Sequence, residues 1–294
     1  MLEEVVELLR PVPGSRILDC TVGAGGHAEA LIARALPGGR LVGIDWDDAA
    51  LERARARLRR FGDAARLYRA SFVELGEVLD RAGLREVDIV LFDLGLSSIQ
   101  LADQERGFSF RGSGPLDMRM DRRRNKTLRK MIDGLSEQDL ARIIFEYGGE
   151  RLSKQIARAI VRADEQKKID SADELAEVIV KAVRPRRRKK VHAATQTFQA
   201  LRVAVNRELE NLAAAVPDAA GRLSPGGRMG VISYHSGEDR IVKVDFNELS
   251  GPRPFEVVTG KPVTPSESEQ HANPRSRSAK FRVLQRMKGG EEEA

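Results

Sequence analysis

Short apolar runs that end in an acid recur along the first third of the chain. They read Arg16-Ile17-Leu18-Asp19, Leu41-Val42-Gly43-Ile44-Asp45 and Val87-Asp88-Ile89-Val90-Leu91-Phe92 before Asp93. A further run, Arg66 to Ala70, is followed closely by Phe72. Runs this short, bounded by turn residues and separated by helix-like stretches, predict buried parallel strands in βαβ units. The charged, alanine-rich stretch Asp48–Arg60 after the Asp47-Asp48 cap region predicts one such helix. After Asp93 the pattern changes. A glycine- and arginine-rich loop runs to about Asp121, and helical periodicity follows over about 127–182 (Leu140, Ile143, Ile144, Tyr147; Ile156, Ile160, Val161; Leu175, Val178, Ile179). Near Asn206 the alternation returns, with a helix to about Leu223, a turn at Pro225-Gly226-Gly227, a strand Arg228–Ser233 and a last strand Lys280–Arg286. The expected fold is α/β: a doubly wound, Rossmann-like sheet from residues 1–110 and 206–294, with an inserted all-helical domain, 111–205, after strand four. Ligands of open α/β sheets bind beyond the carboxyl ends of the strands, where Asp19, Asp45, Phe72 and Asp93 all fall. The insertion leaves from that edge and is placed to form a lid or substrate platform.

The turn after strand one, Asp19-Cys20-Thr21-Val22-Gly23-Ala24-Gly25-Gly26-His27, makes this edge a site for a nucleoside-bearing small molecule. Gly23-Ala24-Gly25-Gly26-His27-Ala28 fits the glycine fingerprint of dinucleotide sites, and Asp45 lies about 20 residues beyond, placed to accept from two ribose hydroxyls. Taken alone this suggests a dehydrogenase. Asp19 argues otherwise, because a pyrophosphate over the turn would meet a carboxylate four residues before the first glycine. S-adenosylmethionine carries an ammonium and a sulfonium and no phosphate, so an acid there attracts. The candidate cofactor residues from this segment are Asp19, Gly23, Gly25, Gly26, His27 and Asp45, and the sheet reads as that of a class I methyltransferase.

Composition narrows the class. Of 294 residues, 32% are charged and 5% aromatic. No apolar run approaches the ~18 residues that span a membrane, and the acidic start Met1-Leu2-Glu3-Glu4 is unlike a signal peptide. One cysteine excludes an internal disulfide framework and points to a reducing cytoplasm. Four histidines and that cysteine show no metal-ligand spacing, so no metal is expected. The net charge of +6 is unevenly spread. Arg184, Arg186, Arg187, Arg188, Lys189 and Lys190 crowd one stretch; Arg119, Arg122, Arg123, Arg124, Lys126, Arg129 and Lys130 form a second cluster. Each run could be a solvated face, but two of them suit a nucleic-acid backbone.

Asp93-Leu-Gly-Leu-Ser-Ser-Ile-Gln-Leu, Asp103-Gln-Glu-Arg-Gly-Phe-Ser-Phe and Gly114-Pro-Leu-Asp-Met-Arg-Met-Asp follow in order. Three more blocks are Arg184-Pro185 through Lys189-Lys190-Val191-His192 to Val205-Asn206, Ile232-Ser233-Tyr234-His235-Ser236 with Glu238-Asp239-Arg240, and Asn273-Pro274-Arg275-Ser276-Arg277-Ser278. Together they resemble the bacterial ribosomal small-subunit (16S) RNA cytosine-N4 methyltransferase family (RsmH, also called MraW) across almost the whole chain. The resemblance implies S-adenosylmethionine as cofactor, held by Gly25, Gly26, His27, Asp45, Phe72 near the adenine, Asp93 and Gln100. It implies 16S rRNA or the small subunit as partner and a cytidine N4 amine as target. The family's usual N-terminal lead is not seen before Met1-Leu2-Glu3, and Ala193, Gln196 and Gly237 stand where proline, arginine and leucine are usual. A DNA cytosine methyltransferase, or a non-catalytic RNA-binding assembly protein, is the alternative; a homodimer is left open.

An exocyclic amine is a poor nucleophile, and an acceptor for its proton restores lone-pair character. Amino methylases of DNA place an Asn/Asp-Pro-Pro-aromatic motif at the end of strand four, where this chain has Asp93-Leu94-Gly95. The candidate acceptors are Asp93, a Ser97 or Ser98 group, Asp117 in the Pro-Leu-Asp-Met-Arg-Met block, and His235, which could equally be structural. Arg119 and the Arg184–Lys190 cations are the expected phosphate contacts.

Overall fold

A computed structural model describes residues 1–110, 112–183, 192–251 and 254–288. In chain order the elements are α1 (Leu2–Leu9), β1 (Arg16–Asp19), α2 (Gly26–Ala35), β2 (Arg40–Asp45), α3 (Asp48–Leu58), β3 (Ala65–Arg69), α4 (Leu75–Ala82), β4 (Val87–Asp93), α5 (Ser98–Ala102), α6 (Leu128–Asp133), α7 (Glu137–Gly148), α8 (Ser153–Glu165), α9 (Ala172–Val183), α10 (Thr195–Asn206), α11 (Glu208–Gly221), β5 (Leu223–Ser233), α12 (Ser236–Leu249), β6 (Phe255–Val257), α13 (Glu267–Ala272) and β7 (Lys280–Arg286). They divide into two compact units, Met1–Ser97 with Leu209–Ala294, and Ser98–Glu208.

The first unit is built on a seven-stranded sheet of order β3-β2-β1-β4-β5-β7-β6. The first five of these strands pair in parallel, while β7 runs antiparallel to both β5 and β6. The strand order reverses between β1 and β4, which sets the crevice of a doubly wound sheet at the ends of those two strands. Period-two alternation inside the apolar runs serves both faces. Ile17, Leu41, Ile89 and Leu91 face one core with Val5, Leu9, Leu31, Ile32, Leu51 and Leu58 from α1–α3. Leu18, Val42, Val90 and Phe92 face the other with Val78, Leu79, Leu212, Val216, Val242 and Phe246 from α4, α11 and α12. Burying each such side chain contributes about 1.5–3 kcal/mol, which is why these strands carry no polar face.

The chain leaves the sheet directly after β4 and returns through α11 to β5, so the insertion point expected from the sequence is the observed one. The unit boundary falls at Ser98 rather than at residue 111. The reason is the intervening loop, which folds onto the helical unit. Arg106 is buried, its Nη2 donates to the carbonyls of Arg119 (3.0 Å) and Met120 (2.9 Å), and its own carbonyl accepts from Met118 N–H at 3.0 Å. β5 begins earlier than expected, at Leu223. It absorbs the Pro225-Gly226-Gly227 turn as an irregularity, with pairing to β4 broken between Val87↔Leu223 and Ile89↔Arg228. The three-residue β6 escaped the sequence pattern because Phe255-Glu256-Val257 is too short to show a period. Among the described residues no helix is long and apolar enough to cross a membrane, and no group of His, Cys, Asp and Glu is arranged to hold a metal ion.

Candidate active site

Three carboxylates close the ends of β1, β2 and β4, and the backbone explains why each stands where it does. Gly23 (φ +52°) and Gly25 (φ +81°) adopt left-handed conformations that turn the chain from β1 into α2. A Cβ on Gly25 would touch Ala54 of α3, so this glycine serves the turn and the helix–helix contact. The turn carries the Gly23 N–H to Asp45 Oδ2 at 3.0 Å, while Asp45 Oδ1 accepts from Asp47 N–H at 2.9 Å. With a further backbone hydrogen bond from Trp46, three of the carboxylate's roughly four acceptor sites are filled and one is left for another donor. Asp47 in turn caps α3 by accepting from Ala49 N–H at 3.1 Å.

Asp19 is 1% exposed and receives the Thr21 N–H at 3.1 Å. Burial pushes its carboxyl up to about 7, an effect that the neighbouring His27 opposes and that Asp93 and Asp45 reinforce. Burial likewise raises Asp45 to about 6, against the hydrogen bonds from Asp47 and Gly23. His27 opens α2 and points its Nδ1 at Asp93 Oδ2, 3.4 Å away. Burial disfavours the imidazolium, but the hydrogen bond and charge of Asp93, with the charge of Asp19, outweigh it, and the titration of His27 lies above the ordinary value. The result is an acid-rich sheet edge with one histidine, suited to a ligand that brings positive charge and hydroxyl donors.

Asp93 is held through both its backbone and its side chain. Its N–H donates to Thr21 Oγ1 at 2.6 Å, and its Oδ1 accepts from the Tyr234 hydroxyl at 2.8 Å. Beside it, Phe72 packs edge-on against Phe92 (5.7 Å between ring centres) and tilted against Trp46 (6.1 Å). Phe72 is thus half core and half shelf, next to the strand-two acid, where a flat ring can lie. Ser97 is half-buried at the end of the first unit; Ser98 begins α5.

His235 is the N-cap of α12. Its Nδ1 accepts from Glu238 N–H at 3.4 Å, and Glu238 Oε2 accepts from the N–H groups of His235 (3.2 Å) and Tyr234 (2.8 Å), completing a reciprocal cap. Its Nε2 lies 3.2 Å from Glu238 Oε1, close enough to pair when the ring is protonated but not aligned as a hydrogen bond. The geometry gives His235 a helix-capping task.

In the second unit Gln100 is buried on α5. Asp117 is paired with Arg119 through two hydrogen bonds, 2.6 Å from Nε and 2.9 Å from Nη2. Arg119 also donates to the carbonyls of Arg122 and Arg124. Both residues are thus spent on shaping the loop: the guanidinium outweighs partial burial and holds the Asp117 carboxyl below its usual range. Asn206 ties the same loop to α10, its amide accepting from Met120 N–H at 2.8 Å and donating to the Met118 carbonyl at 2.8 Å. Arg122, Arg123, Lys126 and Lys130 reach the surface. The exposed His192 ring stacks on Phe110 at 4.4 Å and 15°, and Phe110 packs edge-on against Phe198. Arg184, Arg186, Arg187, Arg188, Lys189 and Lys190 lie outside the described residues.

Sequence reasoning missed Tyr234, Arg106 and Asn206. Tyr234 stands inside a quoted motif, but no local signal ties β5 to the end of β4. Arg106 reads as one more surface cation, and its burial depends on carbonyls brought to it by the loop. Asn206 reads as the start of a new segment rather than the lock of the preceding one.

Comparison with known proteins matches residues 1–287 to the MraW methylase family. The "Ribosomal RNA small subunit methyltransferase H" of Symbiobacterium thermophilum is 44% identical over 308 aligned residues, covering 99% of this chain and 97% of that protein. The protein of the same name from Pelobacter propionicus is 45% identical over 304 residues (98% and 97%), and that of Desulfotalea psychrophila 44% over 289 (98% and 97%).

Proposed function

The chain belongs to the MraW methylase family, and from that premise we propose that it methylates the N4 amine of a cytidine in 16S rRNA of the small ribosomal subunit, with S-adenosylmethionine as donor. The observation that carries the reading is the clustering of Asp19, Asp45 and Asp93 at adjacent strand ends around His27. A buried acid, Asp19, beside the half-buried Asp45 and Asp93 fits a ligand that is cationic and ribosylated, and the cluster would repel a pyrophosphate. S-adenosylmethionine, when bound, supplies a methyl group already activated by its sulfonium. The protein's own part is then positioning and exclusion of water.

In this reading the remaining accepting capacity of Asp45 takes a ribose hydroxyl, and Phe72 with Trp46 flanks the adenine. Asp19 offsets the ammonium. Gln100, buried on α5, joins the cofactor set by its place in the motif. Asp93, at the end of β4, accepts a hydrogen bond from the target amine and so returns lone-pair density to its nitrogen. Asp117 and Arg119 act indirectly, by holding the loop from which Arg122, Arg123 and Lys126 meet RNA phosphates, as the Arg184–Lys190 run would. The target base must leave its stack, which favours a loop or single-stranded stretch, and His192 offers an exposed ring to an unstacked base. An enzyme that modifies ribosomal RNA in this way would work in the cytoplasm.

The test is to incubate the protein with methyl-labelled S-adenosylmethionine and small subunits from a strain lacking the enzyme, and to identify the modified nucleoside by mass. N4-methylated cytidine in 16S rRNA is the expected product. A label on another atom, or no transfer with cofactor binding intact, would overturn the assignment of the substrate.

A further inference from the structure

Tyr234 follows the last residue of β5, and Asp93 is the last residue of β4. Their side chains meet across 141 residues of sequence, the phenol donating to Asp93 Oδ1 at 2.8 Å. On its other side the carboxylate has His27 Nδ1, 3.4 Å from Oδ2, and its backbone is pinned to Thr21. The ring of Tyr234 is itself fixed. Its N–H is taken by Glu238, a carboxylate only 2% exposed, at 2.8 Å. Its Cδ2 lies 3.5 Å from where a side chain on Gly95 would begin, and Gly95 has φ +93°. Burial, and then the charge of Asp93, raise the titration of the phenol well above its ordinary value, so it remains a donor through the neutral and alkaline range. Donor and acceptor are each held by further contacts, as a group that must present one lone pair in one direction requires.

We propose that Tyr234 is a positioning residue for methyl transfer: its hydrogen bond to Oδ1, with His27 at Oδ2, fixes the plane of the Asp93 carboxylate and leaves a remaining lone pair of that carboxylate as the acceptor for the target amine. The α12 cap belongs to the same arrangement, since Glu238 holds the Tyr234 backbone. The assignment rests on Asp93 as the amine's acceptor.

The experiment compares wild type, Y234F, D93N and the double variant, in each case measuring cofactor affinity by titration and methyl transfer to undermethylated small subunits. Y234F removes one oxygen and leaves the ring in place. It is expected to keep cofactor affinity within about threefold and the KM for subunits near wild type, while kcat falls roughly 10- to 100-fold, the worth of a hydrogen bond to a charged group. In the D93N background the same change should cost less than about threefold, because the group that Tyr234 orients is already disabled. Wild-type kcat in Y234F would overturn the proposal. So would equal losses in both backgrounds, which would mark a general structural effect, or a loss confined to cofactor affinity. A wild type that binds cofactor but transfers nothing to subunits is a separate outcome: it defeats the substrate assignment and, with it, any role in turnover for Tyr234.

Discussion

Asp19 and Asp45 give the cofactor-free protein a defined response to pH. An unfolded aspartate loses its proton near pH 4, whereas these two hold theirs to about 7 and about 6 in the folded chain. Between those limits the folded state binds more protons than the unfolded one, so stability falls as pH rises from about 4 to 7. The raised His27 acts in the same direction, its contribution being lost as pH climbs through its folded value. The melting temperature of the cofactor-free protein should therefore drop between pH 5 and 7.5, and the increase on adding S-adenosylmethionine should be larger at pH 7.5, where the acids are ionised and lack a counter-charge. A stabilisation by cofactor that is the same at both values would contradict the cationic match. Asp45→Ala should weaken cofactor binding roughly 10- to 100-fold, since it removes the acceptor for ribose. Asp93→Ala should lower kcat by about 100-fold or more, read in the labelled-methyl assay.

His235 and Asn206 show how local fixtures carry the larger elements. His235→Ala removes the cap of α12 and should cost about 1 kcal/mol in denaturant unfolding, with a modest effect on turnover. A loss of activity beyond about 100-fold with the fold intact would instead return His235 to the chemistry. Asn206→Ala leaves the Met120 N–H buried without its partner and frees the loop that Asp117 and Arg119 shape, an expected loss of about 2–4 kcal/mol; limited proteolysis should then cut within 118–126.

These cases also separate what sequence can reveal from what it cannot. The parallel strands and the acids at their ends were legible because a buried strand needs an uninterrupted apolar run, and the first polar residue after it marks the edge. The insertion after β4 was legible as a change of period from two to 3.6. The start of the helical unit at Ser98 was not, because Arg106 carries no sign that its guanidinium is turned inward. The hydrogen bond from Tyr234 to Asp93 was hidden as well, because its partner lies on a strand that is adjacent in the sheet and remote in the chain.

The protein as a whole is basic, with a net charge of +6 that understates the local concentration of Arg and Lys. Binding to RNA should weaken with salt, the slope of log K against log salt being about −0.7 for each phosphate neutralised on a single strand. Filter binding of a 16S rRNA fragment between low and moderate salt measures that slope, and a flat line would exclude the cationic runs as the contact.

The detour between β4 and β5 has a bearing on the order in which the molecule is made. β1 to β4, with all three acids, are complete once the ribosome has passed Asp93, yet the strand that covers the β4 edge, from Leu223 to Ser233, emerges only after the whole helical unit. Pairings so remote in sequence close slowly, and an uncovered strand edge is a template for association with other chains. Nascent chains halted before β5 are thus the species most in need of a chaperone. They would already carry Asp19, Asp45 and Asp93 while lacking the Tyr234 phenol that donates to Asp93, so synthesis through Tyr234 supplies the cover of the β4 edge and that hydrogen bond together.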